Sequence, residues 1–333
     1  MSRILVPGGA GYVGSVLVPK LIRAGHYVRV VDLYLYGNDV LAGSRGPRLE
    51  EVRGDVRDAA LMRTALDGID TIIHLACISN DPSFELDPAL ARTINYDAFV
   101  MLLDLLGRSA VRRFVFASTS SVYGIKAEEN VTEDLPLEPL TDYSKYKVLC
   151  EAELSRAKLP DTTWVTIRPA TVCGWSPRLR LDLSVNILTN HAVNTGRITV
   201  FGGGQKRPNI HIDDITDLYV DLVGRPDDQI HGRVFNAGWE NHSIGAIADQ
   251  VKDVVRRAGA RREIEIVTSP TNDNRSYHIS SERIKRELGY EPKRTIADAV
   301  RDLTTAMGDG RVPDAMTDIR YFNIKTMQAV RLR

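Results

Sequence analysis

The sequence predicts an α/β fold: a doubly wound parallel sheet with a smaller C-terminal α/β lobe. Three observations lead there. A glycine-rich turn, Gly8-x-x-Gly11-x-x-Gly14, joins the short apolar run Arg3-Ile4-Leu5-Val6 to an apolar helical pattern of Val13, Val16, Leu17, Leu21 and Ile22. Short strand-like runs recur at 27–31, 71–75, 113–117, 164–168 and 234–238. A carboxylate, Asp32, closes the first of these, 18 residues beyond the last glycine of the turn (32 − 14 = 18).

The length of 333 residues suits two lobes, or one core with insertions. The 43 basic and 43 acidic side chains cancel, so there is no electrostatic case for a nucleic-acid or membrane partner. Cys77, Cys150 and Cys173 form no Cys-x-x-Cys, and the histidines form no His-Glu-x-x-His; both facts argue against a metal site. No apolar run approaches the ~20 residues of a membrane span. Met1 leads straight into a strand, leaving no room for a signal peptide. The expectation is a soluble, cytoplasmic protein without internal repeats.

In chain order, the turn comes first. Its glycines let the backbone approach a diphosphate, and Tyr12, Val13 and Gly14 lead into a helix whose first N–H groups face the anion. Pro19 falls inside that helix, which is expected to survive but bend. Asp32 accepts hydrogen bonds from ribose hydroxyls and repels a 2′-phosphate, and Leu33 to Tyr36 offer no arginine for one. NAD is therefore expected rather than NADP.

From about Ile4 to Leu303 the chain resembles the extended short-chain dehydrogenase/reductases that act on nucleotide sugars. Gly54-Asp55-Val56-Arg57-Asp58 resembles that family's adenine-contacting strand end, which implies cofactor contacts at Asp55 and Val56. His74-Leu75-Ala76-Cys77 is similar to its cofactor-lining His-x-Ala-Ala, which implies Leu75 and Ala76; Ser79, just beyond, is assigned to the substrate. His74 itself is read as a packed structural residue and Cys77 as a small buried hydrophobe. Asp87-Pro88 opens a long apolar helix to about Leu106, within which Asn95 is expected to tie helix to strand.

The strand at 113–117 runs into Ser118-Thr119-Ser120-Ser121-Val122-Tyr123-Gly124. Alignment on Val122-Tyr123-Gly124 places the family's hydroxyl residue at Thr119, able to hold a reacting oxygen or relay its proton, with Ser120 beside the substrate. Members that eliminate water resemble Thr-Asp-Glu or Thr-Ser-Glu where Thr119-Ser120-Ser121 stand here, and the missing carboxylates count against a dehydratase. Tyr143 and Lys147 lie four apart, on one face of a helix. An ammonium beside a phenol favours the phenolate, so Tyr143 is expected to act as proton acceptor, with Lys147 lowering its pKa and holding the nicotinamide ribose. Lys145, on another face, serves as a control.

Arg168-Pro169-Ala170-Thr171-Val172-Cys173-Gly174 leaves the sixth strand, and the resemblance implies a cofactor contact at Pro169. Thr171 replaces the asparagine with which related epimerases touch the sugar diphosphate. A helix from about Leu183 to Thr195 carries Asn186, expected to reach the sugar. Phe201-Gly202-Gly203-Gly204-Gln205-Lys206-Arg207-Pro208 resembles the family's glycine-rich hairpin, with Arg207 on the diphosphate; Arg275 resembles its second diphosphate arginine. Asp213 or Asp214 is expected to cap the next helix. The tail from Asp318 reads either as a strap docked on the core or as a frayed end.

The resemblance implies a Rossmann NAD-binding domain over 1–172, rejoined by 209–237, and a nucleotide-sugar lobe from 173–208 and 238–333. It also implies a homodimer through the helices of Asn95 and Tyr143. The activity it implies is nucleotide-sugar 4-epimerisation through a transient 4-keto sugar. The alternatives are a 4-oxidase or dehydratase releasing a keto sugar, and a non-catalytic dinucleotide-binding scaffold.

Overall fold

The computed structural model describes residues 1–79, 81–128, 130–271, 276 and 278–330. Its strands are β1 (Arg3–Pro7), β2 (Tyr27–Asp32), β3 (Leu49–Arg53), β4 (Thr71–His74), β5 (Arg113–Ala117), β6 (Thr163–Pro169), β7 (Thr171–Cys173), β8 (Arg197–Phe201), β9 (Lys206–His211), β10 (Arg233–Ala237), β11 (Glu240–Ser243) and β12 (Glu265–Ser269). Seven form one sheet in the order β10-β6-β5-β4-β1-β2-β3, with every pair parallel.

Both faces of that sheet are covered, which is why its strands read as near-continuous apolar runs. Ile4 and Val6 point into one core with Leu17, Val28 and Ile215. Leu5 points into the other, with Phe99, Leu102 and Phe114. The chain leaves β1 toward β2 and β3, then returns to β4 on the opposite side, so a crevice opens where the winding reverses.

The helix Gly14–Arg23 runs through Pro19. The single helix expected over 88–106 is interrupted: Pro88–Arg92 and Ala98–Leu106 flank a π-helical turn, Thr93–Asp97. The turn holds Asn95, whose amide accepts from Ile78 N (2.8 Å) and donates to Ile78 O (2.9 Å). One wider turn thus ties the helix to the loop after β4.

Beyond β7 the chain builds a three-stranded sheet, β11-β9-β7, and a two-stranded one, β12-β8. The helices Ser184–Thr195 and Ile244–Arg257 pack on them through Val185, Leu188, Ile247 and Val251. The expected hairpin at 201–208 does not form, because β8 pairs with β12 while β9 pairs with β7 and β11. Gly202 (φ 77°) and Gly203 (φ 102°) turn the chain out of the plane of β8, and the Gln205 amide closes the loop onto Gly203 N and Phe201 O. The next helix, Ile212–Gly224, is capped by neither expected aspartate: His211 Nδ1 accepts from Asp213 N (3.1 Å).

The tail is a strap. Tyr321 O accepts from Leu181 N (2.9 Å), Asn323 N donates to Asp182 (3.1 Å), and the helix Asn323–Val330 buries Met327 against Ile78, Phe84 and Ile94. No helix among the described residues is long and apolar enough to cross a membrane.

Candidate active site

The crevice at the carboxyl ends of β1, β2, β4 and β5 is lined by every residue predicted to touch the cofactor: Gly8, Gly11, Tyr12, Val13, Gly14, Asp32, Asp55, Val56, Leu75, Ala76, Tyr143, Lys147 and Pro169. Gly8 lies at φ 79°, and a Cβ there would come within 2.6 Å of Ala76 N; one on Gly14 would come within 2.4 Å of Gly9 O. No side chain caps the helix that follows, so its N-terminal end is open to an anion. Asp32 stands across from it, its two oxygens accepting from Ala10 N (3.0 Å) and Tyr34 N (2.8 Å). Burial raises the Asp32 pKa and these N–H groups oppose the rise. A tight cradle for a diphosphate and an oriented carboxylate for a ribose diol fit NAD. Asp55 lines the same end, held by Arg57 through Nε (3.0 Å) and Nη2 (2.6 Å).

At the other end, Thr119 leaves β5 in extended conformation, its hydroxyl bonded to Ser121 N (3.2 Å) and Ser121 Oγ (3.0 Å). Tyr143 sits in the first turn of the helix Asp142–Arg156, whose start is fixed by a reciprocal cap between Thr141 and Ser144. Lys147 follows one turn later, buried, with Nζ donating to Ala117 O (2.7 Å).

The expected lowering of the Tyr143 pKa is not what the geometry produces. Burial pushes the phenol well above its ordinary value, with Cys77 and Asp81 adding to the rise; the Arg180 guanidinium and a hydrogen bond with Thr119 oppose it. The favourable charge comes from Arg180, while the Lys147 ammonium is turned onto a carbonyl.

Ser79, Ser120 and Thr171 all line the crevice. Asn186 does not, and its assignment to the sugar is corrected. It is fully buried, its oxygen accepting from Gly174 N (3.1 Å) and its nitrogen donating to Tyr12 Oη (3.1 Å) and Arg180 O (2.9 Å), so its bonding capacity is spent inside the fold. Arg207 stands on β9 and is not among the described residues lining the crevice. Arg275 lies outside the described residues.

Sequence reasoning missed Asp81, Arg178, Arg180 and Asn323, all of which line the crevice. Arg180 is buried, bonded to Asp182 (2.9 Å) and to Ser79 Oγ (2.9 Å). Asp81 accepts from Thr141 Oγ1 (2.6 Å), one residue from the helix of Tyr143. The available signal was Arg178-Leu179-Arg180-Leu181-Asp182, charges alternating with leucines a few residues after β7, a pattern too costly to bury without a purpose.

His74 lies beneath the site, its ring packed 5.5 Å from Phe99 and 6.2 Å from Phe114 and Phe116. Burial, with the Lys147 charge nearby, pushes its pKa down to about 3. The unfolded chain takes up this proton near ~6.5. His74 therefore contributes stability that is fully present above ~6.5 and is lost as pH falls toward 3. Replacing His74 by leucine is expected to flatten the fall of Tm between pH 6.5 and 4; an unchanged slope would assign that acid sensitivity to other groups.

The chain is similar to several enzymes that act on nucleotide sugars. A UDP-glucose 4-epimerase of Mycolicibacterium smegmatis is 30% identical over 307 residues, covering 90% of this chain and 96% of that one. A dTDP-glucose 4,6-dehydratase of Streptomyces griseus is 31% identical over 312 residues, covering 90% and 92%. The crystal structure of a UDP-glucuronic acid 4-epimerase of Bacillus cereus, in complex with UDP-glucuronic acid and NAD, superposes with a TM-score of 0.81 at 24% identity over 92% of this chain and 99% of that one; that likeness is one of fold. Residues 4–238 match a family model that spans the glycine turn, Asp32, Tyr143 and Lys147, and with it the chain belongs to the NAD-dependent epimerase/dehydratase family.

Proposed function

We propose that the chain is a nucleotide-sugar 4-epimerase. The observation that carries this reading is the meeting of Thr119, Tyr143 and Lys147 at one end of an NAD-shaped crevice where Ser120 and Ser121 offer only hydroxyls. Bound NAD supplies the hydride acceptor and donor. Tyr143 takes the proton of the C4 hydroxyl, with Thr119 hydrogen-bonded to the same oxygen, once the Arg180 charge and the cationic nicotinamide of bound NAD offset the burial that raises its pKa. Lys147 orients the nicotinamide ribose. Arg207 and Arg275 hold the sugar diphosphate while the 4-keto ring turns, and the proton returns from Tyr143 when the opposite face is reduced. The sugar lobe takes its residues from 173–208 and 238–333. A homodimer would use the helices Ala98–Leu106 and Asp142–Arg156, on which Val100 and Leu149 are exposed.

An epimerase and a dehydratase stand at nearly equal identity among the relatives, so the choice rests on the site. Asp81 favours the second reading: among the described residues lining the crevice it is the carboxylate whose charge acts on Tyr143. Elimination needs a base at C5, and Asp81 would be that base.

The test is a product assay in D2O with UDP-, dTDP-, GDP- and CDP-hexoses and no added cofactor. An inverted C4, no deuterium gained and no net NADH are expected, with Asp81→Asn keeping turnover within about tenfold. Deuterium at C5 that disappears in Asp81→Asn would replace the epimerase by a dehydratase. NADH accumulating against a ketone would replace it by an oxidase.

A further inference from the structure

The segment following β7 is laid across the phosphate turn. Ser176 Oγ bonds Tyr12 O (2.8 Å) and Ser15 Oγ (2.7 Å), and Arg178 N donates to Ser15 Oγ (3.3 Å). Arg178 is thereby fixed against the start of the helix Gly14–Arg23, and its side chain lines the crevice. Its guanidinium carbon lies 3.5 Å from the centre of the Tyr36 ring, just beyond Asp32. Nη2 donates to the Asn323 side-chain oxygen of the C-terminal helix. Nε and Nη1 are sealed from solvent and have no hydrogen-bond partner among the described residues. The residue as a whole is only 4% exposed.

A buried guanidinium with two idle donors is costly in a folded chain. The cost is visible in the cation itself, whose pKa burial pushes down to about 10. Among the described residues no carboxylate hydrogen-bonds Arg178 as Asp182 does Arg180. The stacked ring and the Asn323 bond fix its plane and leave Nε and Nη1, on different edges of the guanidinium, each in need of an acceptor. A diphosphate, with negative charge and several oxygens spread over two phosphorus centres, is the acceptor that can reach two separate N–H groups.

We propose that Arg178 is a clamp for the diphosphate of bound NAD, with Nε and Nη1 donating to its oxygens, and that Asn323 of the C-terminal helix is the positioning residue that holds the clamp. The uncapped helix at Gly14 faces the diphosphate from one side and Arg178 closes on it from another. A 2′-phosphate is the poorer occupant, because it would have to sit beside the Asp32 carboxylate. The inference rests on NAD binding and not on which sugar carbon reacts.

The test is a set of dissociation constants that needs no turnover. Adenosine and ADP share the nucleoside and differ in the diphosphate, and ADP-ribose adds the second ribose. Protein freed of co-purified nucleotide is titrated calorimetrically with each, and with NAD and NADP. Arg178→Met is expected to weaken ADP, ADP-ribose and NAD on the order of 10- to 100-fold and to leave adenosine within about twofold. Arg178→Lys should recover part of the loss, and Asn323→Ala should lose a smaller factor with the same selectivity. Unchanged ADP or ADP-ribose affinity, or an equal loss for adenosine and ADP, would overturn the proposal. A loss confined to NADP would overturn it by moving the arginine to the ribose 2′ position. Should Arg178→Met fail to fold, Arg178→Lys and Asn323→Ala carry the same ratio, and an unaltered ratio in both rejects the clamp.

Discussion

Tyr143→Phe is expected to lower kcat by about 10²- to 10⁴-fold, the range of a lost proton-transfer group, with little change in KM. The substitution removes one oxygen and leaves the ring, so the helix and its Thr141–Ser144 cap stay in place. What is lost is the acceptor poised between Thr119 and the charge of Arg180. Lys145, two residues on, is exposed and paired with Asp142 at 2.9 Å, so Lys145→Ala should cost less than about twofold in turnover and about 1 kcal/mol or less in stability. Comparable losses in the two variants would remove Tyr143 from the chemistry.

Arg168→Met should be the most destabilising single change near the site. Arg168 and Glu151 form a buried pair, Nη2 to Oε2 at 2.6 Å, with side chains 6% and 9% exposed. Glu151 also accepts from Ser118 Oγ at the mouth of β5. Arg168 Nη1 donates to Tyr123 Oη (2.7 Å), which in turn donates to Asn236 on β10 (2.7 Å). One guanidinium thus ties β6, the helix of Tyr143, the turn after Thr119 and the last strand of the sheet. Removing it leaves Glu151 buried without its counter-charge, at a cost of about 3–5 kcal/mol. Denaturant or thermal unfolding should register that loss, and the double change Arg168→Met, Glu151→Met should recover most of it. A single variant within about 1 kcal/mol of wild type would mean that water replaces the arginine.

The parts legible in the sequence were those whose cause is local. Ile4, Leu5 and Val6 read as a strand because both faces of β1 are covered. The glycines at 8 and 14 read as a cradle because no side chain fits there. Asn95 read as a tie because an amide in an apolar helix needs partners. The misreadings share a different cause. Asn186 carries a sugar-binding amide in its sequence pattern, yet its partners, Gly174 and Tyr12, are brought to it only by a loop crossing. The strands flanking Gly202 and Gly203 look like a hairpin locally, and long-range pairing sends them to separate sheets. Arg178, Arg180 and Asp81 acquire meaning only when residues 174–182 fold back over the first turn and the tail closes on them. The Tyr143–Lys147 spacing was read correctly as a shared face, but spacing alone is silent on burial, and burial dominates that phenol.

The placement of β10 at the edge of the main sheet sets the order of events during synthesis. β6 ends at Pro169 and its outer neighbour ends at Ala237, so 68 residues (237 − 169) must emerge before that edge is covered. At about 5–20 residues per second the ribosome leaves the outer edge of Trp164 to Ile167, the one turned away from β5, open for several seconds. An apolar, hydrogen-bond-hungry edge of that kind recruits other chains. A nascent chain stopped at 172 is therefore expected to aggregate, one carried past 237 to stay in solution, and slower translation to lower the yield of the native protein.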